Sequence, residues 1–238
     1  MKKLALALAT SAALLAASSA AMAHQAGEFF VRGGPILAVP NTDTHNYKSD
    51  LPLSYDFDVN SNAQLGLTGT YMITDNLGVE LLAASPFSHE IKLNTLSVGN
   101  NDIKDVGTIA KTKHLPPSLY LQYYFLDANS PARPYVGAGI NYTHFFDTHF
   151  NSTIDNAGLG VTAHNLKLKD SWGPVVNAGI DINLTDNLFL NTSIWWAKIK
   201  TKATFDVYNQ ADGKKIASQE ARVTLDPTIF FVGLGYRF

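Results

Sequence analysis

Ala63-Gln64-Leu65-Gly66-Leu67-Thr68-Gly69-Thr70-Tyr71-Met72-Ile73-Thr74 is the stretch that decides the fold. Leu65, Leu67, Tyr71 and Ile73 alternate with Gln64, Gly66, Thr68, Thr70 and Thr74, a period of two that puts one greasy and one mostly polar face on a single strand. Similar runs recur at about 28–39, 77–91, 114–126, 134–147, 170–184, 188–203 and 221–238, so the chain reads as eight antiparallel strands. Many are long enough to cross a bilayer when tilted. In hydrocarbon every backbone N–H and C=O must find a partner, and strands achieve that only in a closed ring. The expected fold is therefore all-β, an eight-stranded antiparallel transmembrane β-barrel.

The links between strands support this reading, because outer-membrane barrels have short turns on the periplasmic side and long loops outside. Short links fall at Asp75-Asn76, at 127–133 and at Asp186-Asn187; long polar links fall at about 40–62, 92–113, 148–169 and 204–220. Ile73-Thr74-Asp75-Asn76-Leu77 and Leu184-Thr185-Asp186-Asn187-Leu188 echo one another and read as one turn used twice. Asp and Asn suit such turns because their side chains bond nearby backbone groups. In the last stretch of the sequence, Phe230, Val232, Leu234, Tyr236 and Phe238 alternate with Gly233, Gly235 and Arg237, as expected of a closing strand.

Residues 1–23 read as a signal peptide: Lys2 and Lys3, an apolar stretch from Leu4 to Ala17, and the small-x-small site Ala21-Met22-Ala23. Residues 24–238 are then the barrel, exported to the outer membrane of a Gram-negative bacterium. The chain is 46% apolar and 16% charged with a net charge of −2, which offers no basic stripe to nucleic acid. Cysteine is absent, excluding disulfides, a lipidated N-terminal thiol and thiolate metal sites. None of the seven histidines sits at a metal-ligand spacing; His144 and His149, flanking Asp147, read as a solvated loop. No cofactor or metal is expected.

Parity assigns each side chain a face. Val176, Ala178, Ile180 and Ile182 on one strand, and Val136, Ala138, Ile140 and Tyr142 on another, are expected to meet lipid. The same rule sends Glu28, Arg32, Glu80, Gln122, Asp181 and Arg237 into the lumen near the short-turn end. Mixed charges enclosed there are tolerable as a satisfied network, and a structural plug is the preferred reading over a proton relay or catalytic site. An eight-stranded barrel is just wide enough for side chains to fill, which argues against a broad aqueous pore. Tyr123, Tyr124, Phe125 and Trp195-Trp196 read as aromatic girdles at the interfaces, with Trp195 able to reach inward.

Three prolines break the pattern. Pro86 falls in the third strand and Pro116-Pro117 in its expected neighbour, the fourth. Proline donates no ladder hydrogen bond, and a closed barrel has no edge to hold it. Together they leave either a gap in the wall, a lateral opening, or a bulge without transport meaning.

Gly27-Glu28-Phe29-Phe30-Val31-Arg32, Gln64-Leu65-Gly66-Leu67-Thr68, Thr74-Asp75-Asn76 with Gly78-Val79-Glu80-Leu81-Leu82-Ala83-Ala84, Pro86-Phe87-Ser88-His89, His114-Leu115-Pro116-Pro117, Lys169-Asp170-Ser171-Trp172-Gly173 and Gly233-Leu234-Gly235-Tyr236-Arg237-Phe238 closely resemble the OmpW family of eight-stranded outer-membrane barrels, over essentially the whole chain after the signal peptide. The resemblance implies a narrow, apolar-lined channel that admits small hydrophobic molecules and releases them sideways into the membrane. It also implies a channel constriction of one Leu and one Trp, matching Leu82 and Trp172. Leu82 shares inward parity with Glu80; Trp172 shares outward parity with Val176, so an inward Trp172 requires a bulge near Gly173-Pro174.

Three functions compete. Passive uptake of small hydrophobic solutes leads. A surface receptor or adhesion scaffold, binding phage, bacteriocin or host through the long loops without transport, is the alternative. A lipid-modifying enzyme is disfavoured: Ser88, His89 and Glu90 are the only local cluster, and neighbours on a strand point to opposite faces. Expected partners are outer-membrane lipid and lipopolysaccharide, small hydrophobic solutes, and the outer-membrane assembly machinery, through the C-terminal Phe238.

Overall fold

The computed structural model describes residues 24–49, 53–98, 101–156 and 160–238; the expected signal peptide, 1–23, lies outside them. Eight staves run in chain order, and all but one are divided in two: β1 (Phe29–Val39) and β2 (Asp43–Ser49); β3 (Leu53–Val59) and β4 (Asn62–Met72); β5 (Leu77–Ala84) and β6 (Phe87–Val98); β7 (Asn101–Leu115) and β8 (Ser118–Tyr124); β9 (Ala132–Phe150), undivided; β10 (Val161–Leu168) and β11 (Ser171–Asn183); β12 (Leu188–Ala197) and β13 (Lys200–Asn209); β14 (Lys215–Thr224) and β15 (Thr228–Arg237). The order β11-β12-β15-β1-β4-β5-β8-β9, with β9 returning to β11, closes an eight-stranded antiparallel ring.

The outer face of this ring is apolar at every second residue. Leu65, Leu67, Tyr71 and Ile73 point outward while Thr68, Thr70 and Met72 are buried. From Leu65 to Ile73 the strand covers about 27 Å at ~3.4 Å per residue, roughly 20 Å once tilted, close to the height of an outer-membrane apolar band. Phe29, Tyr71, Tyr123, Phe125, Tyr236 and Phe238 ring the short-turn end of the outer surface, and Tyr142, Trp172 and Trp196 mark the opposite border. The echoed turns share one geometry. The N–H groups of Ile73 and Thr74 donate to Leu77 O, those of Leu184 and Thr185 to Leu188 O, and Thr74 Oγ1 and Thr185 Oγ1 each accept from the N–H three residues on, at 3.0 Å.

The links expected as long polar loops are mostly strand. Above the apolar band, β3-β6-β7-β9 and β10-β13-β14-β2 form two four-stranded walls that prolong the lumen outward. His144 and His149, expected in a solvated loop, lie on β9, where His144 Nδ1 bonds Asp170 at 2.9 Å. In these walls the polarity inverts. Phe87, Leu93, Ala203 and Val207 are buried, whereas Ser88, Lys92, Lys202 and Asp206 on the opposite face are exposed or half-buried. The inversion is what a strand needs on leaving lipid for water: its outer face must now be wet, and its inner face can be greasy. Outside, a hydrogen bond from Lys215 Nζ holds the Asp206 carboxyl down at about 2.

Candidate functional site

The lumen has a floor of buried, mutually hydrogen-bonded polar side chains. Arg32 on β1 is its hub: Nε and Nη2 donate to the two oxygens of Asp181 (β11) at 3.1 and 2.6 Å, Nη1 donates to Thr70 Oγ1 at 3.1 Å and to Glu80 (β5), and Nη2 donates to Tyr124 OH at 2.7 Å. Gln122 Nε2 donates to Glu80 Oε1 at 2.8 Å, and Tyr124 OH donates to Gln122 Oε1 at the same distance. Asp181 also takes His24 Nε2 and Asn191 Nδ2, each at 2.8 Å. Every member of this set is buried. Charges shut away from water are tolerable here because each carboxylate oxygen faces a donor, and a network satisfied in that way is rigid.

Parity therefore brings Arg32, Glu80, Gln122 and Asp181 together as one cluster. Arg237 sits lower, bonded to Asn183 and, at 2.8 Å, to the Asp186 carbonyl. Glu28 is at the rim, accepting from Gln25 N–H at 3.0 Å. The sequence reading missed His24 and Arg133. His24 precedes the first strand, where no periodicity applies; its ring stacks on Phe30 with centroids 4.0 Å apart and caps the lumen. Arg133 fastens that cap, donating to His24 O at 2.8 Å and to the turn carbonyls of Asp75 and Leu126 at 2.7 and 3.0 Å. Phe189 completes the layer over Gly235, where any side chain would collide with its ring.

Above the floor the lumen narrows at a stopper of Leu82, Tyr120, Trp195 and Phe231, all inside and packed in one cluster. Trp195 stacks on Phe231 at 5.5 Å. Leu82 is inside, at 3% exposure, as its parity requires. Trp172 is not: it is 71% exposed on the outer wall, 4.6 Å from the Tyr142 ring. The β11–β9 register runs from Ser171 to Ile182 without a shift, so the bulge an inward Trp172 would need is absent, and the inward indole is Trp195, 2% exposed.

Two chambers lie above the stopper. The lower, about 30 Å³, is lined by Ile36, Leu82, Ala84, Phe87, Pro116 and Tyr120 among others; the upper, about 130 Å³, is lined by side chains such as Phe57, Ile91, Leu93, Ile109, Phe145 and Phe205 from the two extramembrane walls. Val59, His89, His114 and Leu225 border both. Among the described residues, no carboxylate, Lys or Arg lines either one.

The prolines sit at the level of the lower chamber. Between β5 and β8 the register ends at Leu82↔Ser118, and between β6 and β7 it resumes at Phe87↔His114. Residues 83–86 and 115–117 face each other unpaired, four against three. The extra residue flips parity, so Glu80 and Leu82 point inward before Ser85-Pro86, and Phe87 and His89 after it. Other staves pass this height with bridging bonds: Asn41 N–H to Leu225 O at 2.8 Å, Lys198 N–H to Pro174 O at 2.9 Å, Leu225 N–H to Ile199 O at 2.9 Å, Ser85 N–H to Leu65 O at 2.9 Å and Tyr142 N–H to Pro117 O at 3.0 Å. Pro35, which the sequence reading passed over, also interrupts a ladder, yet Gly33↔Leu234 and Ile36↔Phe231 keep one register across it.

The family model for the OmpW family matches residues 25–238. The chain is 48% identical over 231 residues to outer membrane protein W of Vibrio cholerae, covering 95% of this chain and 96% of that protein. The crystal structure of the outer-membrane protein OprG from Pseudomonas aeruginosa superposes with a TM-score of 0.75 at 36% identity, over 91% of this chain and 98% of that one. A more distant relative, the dibenzothiophene metabolism operon protein PahQ of Pseudomonas aeruginosa, is 27% identical over 184 residues, 76% of this chain and 74% of that protein.

Proposed function

The chain belongs to the OmpW family of outer-membrane β-barrels, and on that premise we propose that it passes small hydrophobic solutes from outside into its chambers and out sideways, between the staves carrying Pro86 and Pro116-Pro117, into the membrane. The observation that carries this reading is the pairing of an uncharged chamber with an unpaired seam at the same height, above a floor whose polar groups are bonded to one another. A solute in the lower chamber meets Leu82, Trp195 and then a charged network below it. Beside it the ladder between residues 83–86 and 115–117 is interrupted, with lipid beyond.

No energy source is required. Each methylene leaving water gains about 0.8 kcal/mol, so an eight-carbon chain gains roughly 6 kcal/mol. The name of PahQ places that relative in the metabolism of dibenzothiophene, a fused apolar aromatic, which supports a hydrophobic solute class here. Residues 1–23 serve as the export signal in this reading, and Phe238, 74% exposed beside Phe29, is free to be recognised during assembly.

Restoring ladder donors tests the route. Pro86→Ala, alone and with Pro116→Ala and Pro117→Ala, is expected to slow uptake of an apolar probe as the seam zips. Uptake unchanged in the triple variant removes the lateral exit. The receptor alternative predicts instead that these changes leave phage or bacteriocin adsorption as the only measurable activity, with no protein-dependent uptake in any variant.

A further inference from the structure

Two histidines stand where the upper chamber, the lower chamber and the unpaired seam meet. His89 and His114 are 3% and 6% exposed and border both chambers. Their rings stack with centroids 5.0 Å apart and planes within 6°. Phe87 stacks on both, 5.3 Å from His114 and 6.2 Å from His89, and the Phe145 ring is tilted against His114 at 5.7 Å. His114 is the register partner of Phe87, the first pair above the seam. Nothing in the fold explains imidazoles here, since a Phe or Leu would fill the same apolar wall without burying polar nitrogens.

Their hydrogen-bonding state narrows what they could take. His89 Nδ1 lies 2.6 Å from the Asn60 carbonyl, which only accepts, so Nδ1 carries the proton and Nε2 presents a lone pair. His114 Nδ1 is buried and has no partner. Desolvation holds His89 below the usual imidazole value and brings His114 down to about 3, so both are neutral near pH 7. Parallel rings keep their in-plane nitrogen lone pairs in separate planes, a poor arrangement for a shared metal ion. A small O–H group fits better: it donates to the His89 Nε2 lone pair and exchanges a second bond with the unsatisfied His114.

We propose that the His89–His114 pair is a binding site for the hydroxyl head of an otherwise apolar solute, an alkanol or a phenol, whose tail lies in the uncharged chamber beside the seam. This rests on the passage reading above and adds to it a solute class. Pure hydrocarbons pass the same place and leave the imidazoles unsatisfied, so the pair confers a preference. One hydrogen bond in such a setting corresponds to a factor of about ten.

The test uses the full chain in vesicles with a lipopolysaccharide outer leaflet, and the probes 1-octanol and n-octane. The ratio of protein-dependent 1-octanol to n-octane uptake is expected to fall about tenfold in His114→Phe and to recover in His114→Gln, which keeps hydrogen-bonding atoms. A ratio unchanged in His114→Phe overturns the site while leaving passage standing. Protein-dependent uptake of neither probe by the unaltered chain overturns the passage reading, and this proposal with it. A second measurement needs no variant: 1-octanol, and not n-octane, is expected to shift the ¹⁵N resonance of His89 Nε2 in the unaltered protein, and identical spectra with both probes also overturn the site.

Discussion

Replacing Arg32 by methionine should do more damage than any other single change in the floor. The guanidinium makes bonds to Asp181, Glu80, Thr70 and Tyr124, and it is the cation lying directly between the two buried carboxylates. Methionine fills much of the same volume, so the loss is electrostatic and not a void. Glu80 and Asp181 would then face each other's field with neutral donors and His24 around them and with Arg133 and Arg237 as the remaining cations acting on Asp181. Breaking a buried pair from one side costs about 3–5 kcal/mol, a factor of roughly 150 to 5,000 in the folding equilibrium. Urea unfolding in lipid vesicles, followed by tryptophan fluorescence, measures it, because Trp195 packs just above the cluster. The triple variant Arg32→Met, Glu80→Gln, Asp181→Asn should regain most of the loss, since it removes the stranded charges together with their partner. A loss under about 1 kcal/mol for Arg32→Met alone, or no recovery in the triple variant, would refute the view that the floor is a mutually satisfied ion cluster.

Trp195→Ala should cost about 3–5 kcal/mol through the cavity left in the stopper, yet conductance across a planar bilayer should stay at background because the polar floor remains; a steady ionic current would show the floor to be open. The His114 imidazole should titrate near 3 by ¹⁵N spectroscopy, and a midpoint near 6.5 would mean that the chambers are flooded. Because its folded value lies below the unfolded one, its contribution to stability is complete above about pH 6.5 and is lost as pH falls from there toward 3; among the described residues the other titratable groups lining the chambers are His89, Tyr55 and Tyr120, and His114→Phe should flatten that slope in unfolding midpoints taken between pH 7 and 4. Phe238→Ala should slow assembly in cells while leaving the unfolding midpoint of refolded protein nearly unchanged, as an exposed ring contributes little packing; a large drop in midpoint would assign Phe238 a folding role instead.

Much of the barrel is legible in the residues because lipid imposes a strict rule. Parity alone puts Leu65, Leu67, Val136 and Ile194 outside and assembles Arg32, Glu80, Gln122 and Asp181 inside, since no other face is available to either set. It fails where that rule lapses. Ile91, Leu93 and Phe205 also alternate with polar residues, but their apolar face turns inward, so segments read as loops are walls. The signal was present as inverted alternation, hidden on the β5–β6 stave by the one-residue flip at Ser85-Pro86. Family likeness pointed to Trp172 as a constriction residue, while the unshifted ladder through Gly173-Pro174 keeps its ring outside and gives the stopper to Trp195, an assignment parity alone would have made. His24 and Arg133 carried no periodic signal at all, one lying before the first strand and the other beside a turn.

Locking the seam is the most direct test of the account. The chain has no cysteine, so Ala84→Cys with Pro116→Cys, two positions facing each other across the unpaired segment and lining the lower chamber, adds a single reversible clamp. With the disulfide verified by mass spectrometry, uptake of n-octane into lipopolysaccharide-containing vesicles is predicted to drop to the protein-free rate and to return on reduction. Uptake that continues undiminished through a closed clamp would contradict the lateral route.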